Sequence, residues 1–231
     1  MAKKKAKTSS TQVEANVGEL FSKSEKFIEA YKNHIIIAVA TIIVIVAAIL
    51  GVRQYYFIPK EKDAQVAIFP GESYLAAQQW DKALNGDGKD YIGFLGIIDE
   101  YGITKTANLA KAYAGICFYH LNKPEDALEY LKKYDAKDKV IAPVIQGLIG
   151  DCYVDLGKAE EGVKYFDNAA SGASSDVLSP IYLKKAGVAY ESLSDYANAK
   201  KSYQTIKDKY PNSQEASDID KYIERADSKI K

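Results

Sequence analysis

Apolar and polar positions are arranged along this chain in three different ways, and each predicts a different kind of helix. Residues 35–52 read Ile-Ile-Ile-Ala-Val-Ala-Thr-Ile-Ile-Val-Ile-Val-Ala-Ala-Ile-Leu-Gly-Val, without a charge. As a helix this run is about 27 Å long, close to the hydrocarbon thickness of a bilayer. A soluble core helix would keep a polar face; here the single hydroxyl is Thr41, which can bond back to its own helix. Arg53, Tyr55, Tyr56 and Phe57 follow, residue types suited to the headgroup level, so a transmembrane helix is expected over 35–57. A cleaved secretory signal would have a far shorter charged region before it and a shorter apolar core. Upstream, Val17, Leu20, Phe21, Ser24, Phe27, Ile28 and Tyr31 recur at steps of three and four, which predicts an amphipathic cytoplasmic helix over 17–34. Two readings of it stay open: a helix lying in the lipid interface or on a membrane partner, or the early start of the span's own helix. Residues 1–16, rich in Lys and then in Ser and Thr, read as a disordered basic tail.

Beyond residue 58 the pattern becomes that of half-buried helices, and it repeats three times at steps of 35 and 37 residues. Ala114-Gly115, Ile149-Gly150 and Ala186-Gly187 are followed by Phe118, Tyr153 and Tyr190 at the same distance. Twelve residues past each glycine stand Ala127, Gly162 and Ala199, and one turn later come Leu131, Phe166 and Tyr203. Antiparallel helices approach closely where one contributes a small residue and the other sets a large side chain into the gap. Gly115, Ala127, Gly150, Gly162, Gly187 and Ala199 are therefore the expected helix-packing anchors of three helical hairpins. Turn signals fall between the helices of each pair, at Asn122-Lys123-Pro124, Asp155-Leu156-Gly157-Lys158 and Ser192-Leu193-Ser194-Asp195. Ordinary bundle periodicity would not hold small and large positions in phase through all three. A weaker hairpin precedes them within a linker region, 58–106, with helices expected near 72–84 and 90–101 and a longer connection. At the other end, Asn212 or Ser213 opens a capping helix over 214–231, whose Ala216, Ile219, Tyr222, Ile223 and Ala226 share one face.

These anchors, with Pro211 closing the third unit, resemble the tetratricopeptide repeat, and the resemblance covers residues 107–213. The departure is early in each unit, where the family's Trp and Leu are absent and Lys111, Gln146 and Leu183 stand at the fourth place. The resemblance implies an all-α fold: a single N-terminal transmembrane helix, then a tetratricopeptide-type helical-hairpin solenoid with a C-terminal capping helix. It also implies a peptide groove lined by the second, fifth, ninth, twelfth and thirteenth places of each unit. Here those are Leu109, Ala112, Ile116, Tyr119 and His120, then Val144, Gly147, Asp151, Val154 and Asp155, then Ile181, Lys184, Val188, Glu191 and Ser192. Such a groove is apolar at its first unit and acidic farther along, which suits an amphipathic or extended peptide with a basic end. The alternative is that these apolar groups pack on neighbouring units or on the helix that follows Arg53.

Composition and charge narrow the chemistry. Basic and acidic residues balance at 31 each, but residues 1–34 hold seven Lys against four Glu. That basic excess before the span keeps the N-terminus cytoplasmic and exports the repeats. No basic stripe with interleaved aromatics exists, which argues against nucleic acid as a partner. Cys117 and Cys152 are too few for a disulfide framework or a zinc site, and their separation of 35 residues places them at equivalent points of adjacent helices, as two buried free thiols. Asn85-Gly86-Asp87-Gly88-Lys89-Asp90 has the look of a calcium loop, but in that register Ala83 and Phe94 occupy the first and twelfth ligand places. His34 and His120 form no pair. No catalytic constellation, metal site or cofactor is expected, and the chain reads as a binding scaffold.

Basic tail, one span, exported repeats, the Ala-Leu-Asn-Gly-Asp-Gly stretch and the Tyr-Pro-Asn-Ser ending together resemble bacterial membrane-anchored tetratricopeptide repeat proteins related to the ancillary subunit of the Sec translocon. That resemblance implies residence in the bacterial inner membrane, a periplasmic repeat domain, and contact with Sec translocon subunits and periplasmic chaperones. A structural or self-assembling scaffold for envelope assembly has the same architecture, and the sequence leaves the oligomeric state open.

Overall fold

The computed structural model describes residues 29–34, 36–135 and 140–230, all-helical and without a strand among them. The expected tail over 1–16 and residues 17–28 of the expected amphipathic helix lie outside the described residues. The chain divides into two units, Met1–Pro59 and Lys60–Lys231.

In the first unit, residues 29–34 and 36–52 form helix α1, which ends in a π-helical turn, Arg53–Phe57. Thr41 donates from its hydroxyl to the Ile37 carbonyl at 2.8 Å, so the one polar group of the apolar run is satisfied within its own helix. By length and composition the helix is apolar enough to cross a membrane.

The second unit contains nearly all of α2 (Ile58–Ala76), then α3 (Trp80–Asn85) and α4 (Gly93–Glu100). Three hairpins follow: α5 (Lys105–His120) with α6 (Pro124–Lys133), α7 (Ile141–Asp155) with α8 (Ala159–Ala173), and α9 (Leu178–Ser192) with α10 (Tyr196–Lys209). A 3-10 turn, Gln214–Asp218, leads into α11 (Ile219–Asp227). Each hairpin turns in the same way. Lys123, Lys158 and Asp195 donate their backbone N–H to the carbonyls of Phe118, Tyr153 and Tyr190, at 3.0, 2.8 and 2.9 Å. The residue before each donor, Asn122, Gly157 or Ser194, has positive φ. This is the closing bond that satisfies the last carbonyls of a helix and reverses the chain.

Helices within a hairpin touch where the small residues stand. A Cβ on Gly115 would lie 2.5 Å from Leu131 Cγ, and one on Gly150 would lie 2.6 Å from Phe166 Cε1. Gly187 lies under the ring of Tyr203 in the same way. From the facing helices, Ala127 and Ala199 are fully buried, and a Cβ on Gly162 would meet Val154 Cγ2 at 2.8 Å. Successive hairpins stack through α6 on α7 and α8 on α9, and α11 packs on α10. The last helix buries Ile219 and Ala226 against Tyr203 and Ile206, and Ser213 caps the 3-10 turn by accepting from the Ala216 N–H at 3.2 Å. The sequence pattern predicts one helix from residue 214; the chain first makes a 3-10 turn and reaches α-helix at Ile219.

At the N-terminal end the expected helix over 72–84 is not formed as one piece. Helix α2 stops at Ala76, Gln78 takes φ of 56°, and Gln79 donates back to the Tyr74 carbonyl at 2.8 Å. The break lets α3 lay Ala83 and Leu84 into the core against both α4 and α5. Helix α2 is fixed by its own polar contacts. Glu61 accepts from the backbone N–H groups of Lys105 and Thr106, at 2.7 and 3.2 Å, and from the Thr106 hydroxyl at 2.7 Å. A carboxylate thus closes the exposed N-terminus of α5, where the helix dipole favours negative charge.

Candidate peptide groove

The A-helices of the second and third hairpins, α7 and α9, leave a hollow of about 430 Å³ between them. Phe166 of α8 and Ala189 of α9 are buried at its floor, and Val154, Ile181 and Val188 form the sides. Asp151, Lys184, Lys185, Ser192 and Glu215 stand around it. A second hollow of about 350 Å³ lies where the start of α9 meets the turn between α10 and α11, and it shares Ile181 and Glu215 with the first.

Of the fifteen groove positions singled out from the sequence, six line the first hollow: Asp151, Val154, Ile181, Lys184, Val188 and Ser192. The first-unit positions do not join it. Ala112 is buried, while Leu109, Ile116 and Tyr119 are partly buried against the same core. The exposed His120 ring stacks on Trp80 of α3, with centroids 4.1 Å apart. Val144 and Asp155 are exposed outside the hollow, and Gly147 is covered by the Tyr182 ring. The six packing anchors sit inside the hairpins, away from the hollow.

The electrostatics differ from the acidic surface that the sequence suggests. Asp151 accepts from Lys185 through both oxygens, at 2.8 and 2.6 Å, and Glu191 pairs with Arg225 at 2.7 Å. Lys184 reaches Asp218 at 2.8 Å, and Lys221 holds the other oxygen of the same carboxylate at 2.7 Å. Lys185, Asp218 and Arg225 each stand 34 residues after their partner, close to the repeat step, so successive units are joined by ion pairs and the charges cancel pairwise. Burial pushes the Asp151 carboxyl above its ordinary value, with Lys185 pulling the other way. The Lys184 and Lys221 ammonium groups hold Asp218 down at about 2. Glu215 is different: it has no hydrogen bond or ion pair among the described residues. Sequence reading missed Lys185 and Glu215, because the family's lining places exclude both; the 34-residue interval between Asp151 and Lys185 is the signal that could have found the first.

The remaining candidate chemistry resolves into structure. Asp87 of the glycine-rich loop accepts from the N–H groups of Lys89 and Tyr91, at 2.9 and 3.1 Å, and from the Tyr74 hydroxyl at 3.0 Å. Its carboxylate therefore ties the loop to α2. No group of three metal-ligating side chains occurs among the described residues. Cys117 and Cys152 are unpaired and buried, and burial pushes both thiols up to about 12, far from the reactive thiolate form.

Stacked hairpins with small residues at the crossings and a last helix packed on them make a tetratricopeptide-like helical-repeat fold. The tetratricopeptide repeat family model matches residues 183–213, which run from the middle of α9 through α10. Solved structures that share the fold include two of similar description. One, described as "Crystal structure of MamA protein", has a TM-score of 0.53 and 15% identity, covering 72% of this chain and 91% of that one. The other, "Crystal structure of MamA", has a TM-score of 0.51 and 16% identity, covering 69% and 93%. No curated protein matches the sequence.

Proposed function

We propose that this chain is a membrane-anchored protein–protein interaction scaffold whose repeat unit grips a polypeptide segment. In this reading α1 spans the bacterial inner membrane with its N-terminus in the cytoplasm, and the repeats face the periplasm. There they dock chaperones or client proteins beside the Sec translocon, and the protein performs no catalysis. The observation that carries the scaffold reading is the hollow between α7 and α9: an apolar floor and sides with the surrounding Asp151–Lys185 and Lys184–Asp218 charges already paired. Such a site binds by shape and apolar burial and leaves orientation to a few polar groups. An apolar groove of this kind suits a peptide, and the resemblance of nearly the whole sequence to translocon-associated repeat proteins is the ground for choosing this partner.

A self-assembling envelope scaffold is the second reading, favoured by α2, where Val66 and Phe69 are 76% and 68% exposed on one side of the helix. One experiment separates the two. A tagged full-length chain is crosslinked in membranes and purified, and protease is added to sealed vesicles of known orientation. Recovery of translocon subunits and chaperones, with the repeats cleaved only from the periplasmic face, is the expected result. Recovery of crosslinked copies of the chain alone would replace the docking role with self-assembly, and cleavage from the cytoplasmic face would overturn the topology.

A further inference from the structure

The two hollows form one trough along α9. The first is lined on that helix by residues from Ile181 to Ser192 and the second by Val177 and Ile181, so together they follow roughly 22 Å of helix. Both contain Ile181 and Glu215, which places the Glu215 carboxylate, without a partner among the described residues, at the saddle between two partly apolar depressions; Asp176, at the far side of the second, is a further carboxylate without one. In the first hollow the lysines beside it are committed, Lys184 to Asp218 and Lys185 to Asp151; Lys209 lines the second hollow but makes no ion pair with Glu215. A ligand meeting this surface encounters an apolar hollow, the Glu215 carboxylate, and a second hollow whose apolar part is Val177, Ile181, Tyr210 and Pro211, with Asp176 and Lys209 at its edge.

Resting on the scaffold reading, the geometry points to a specific class of ligand: an extended polypeptide segment carrying two large aliphatic side chains four residues apart with an Arg or Lys midway. The spacing follows from the trough. The centres of the two α9 linings are about two helical turns apart, roughly 11 Å. In an extended chain, side chains at alternate positions share a face, and a pair four residues apart spans about 13 Å. The residue between them on that face arrives at the saddle, where a cation pairs with Glu215. An acidic residue there meets repulsion, so the charge sets which segments are accepted while the hollows supply the contact area.

The test uses the full-length chain in lipid nanodiscs and fluorescence anisotropy with a labelled peptide, Gly-Ser-Leu-Ala-Arg-Ala-Leu-Ser-Gly. Companion peptides replace the Arg by Glu, or both Leu by Ser. The Arg peptide is expected to bind, and both companions to bind more weakly. Glu215→Lys should weaken the Arg peptide by roughly tenfold and strengthen the Glu peptide, because attraction and repulsion exchange places. Val188→Asp, at the side of the first hollow, should weaken the Arg peptide. If Val188→Asp weakens binding but Glu215→Lys leaves the Arg and Glu peptides unchanged, the groove stands and this ligand class is wrong. If peptide binds and Val188→Asp has no effect, or if no peptide binds at all, the groove reading fails together with it.

Discussion

Gly187 lies under the Tyr203 ring so closely that a Cβ would have to displace it, whereas the nearest atom to a Cβ on Gly172 is Pro143 Cγ at 3.8 Å. Both glycines are helical, but Gly187 is buried inside α9 and Gly172 is exposed near the end of α8. Gly187→Val should cost about 1–3 kcal/mol through overpacking. Gly172→Ala should stabilise, by up to about 1 kcal/mol, because alanine restricts the unfolded chain and favours helix. Urea unfolding of both variants checks the pair; equal effects would mean that the crossings are not close. The phase of small and large residues made these contacts readable in advance, because a gap and the side chain that fills it lie sixteen residues apart in every hairpin. What could not be read was Gly71, which is packed against Phe94 and Tyr91 from outside the repeat register.

At the scale of elements, the last hairpin and its lid are joined by charge. Lys184 on α9 and Lys221 on α11 both hold Asp218, and the carboxyl is depressed to about 2. A carboxyl whose folded value lies below its unfolded value, near 4, stabilises fully above the unfolded value and loses that contribution as pH falls through the folded one. Asp218→Asn should therefore melt at lower temperature than the parent at pH 7, and the two melting curves should converge as pH approaches about 2. An offset that stays constant with pH would show that the carboxylate does not matter. Asp151 works in the opposite direction, since burial raises its carboxyl, but both proteins carry it and the comparison cancels it. The repeat helices were legible from their turn residues, and the three positive-φ positions agree with those turns. The break between α2 and α3 was not legible, because it occurs at Gln78 with neither Gly nor Pro to announce it.

The two ends of the second unit are finished in different ways. Helix α11 covers Tyr203 and Ile206 and turns charged residues outward, while α2 is pinned by Glu61 yet shows Val66 and Phe69 to its surroundings. A chain ending at Asn212 should lose its lid, expose the last apolar layer and self-associate, which size-exclusion chromatography of the solubilised protein would reveal; an unchanged elution and melting profile would show that the lid is dispensable. The sequence by itself determined that one uncharged run is long enough to span a bilayer, that residues 107–213 fold as stacked helical hairpins, and where those hairpins cross. Those properties depend on periodicity and side-chain size, which are local and repeat along the chain. Only the tertiary structure decided which groove positions remain open and which charges survive there. Those outcomes depend on partners brought together from different helices, as Lys185 is to Asp151 and Trp80 is to His120, and on Glu215 being left without one among the described residues.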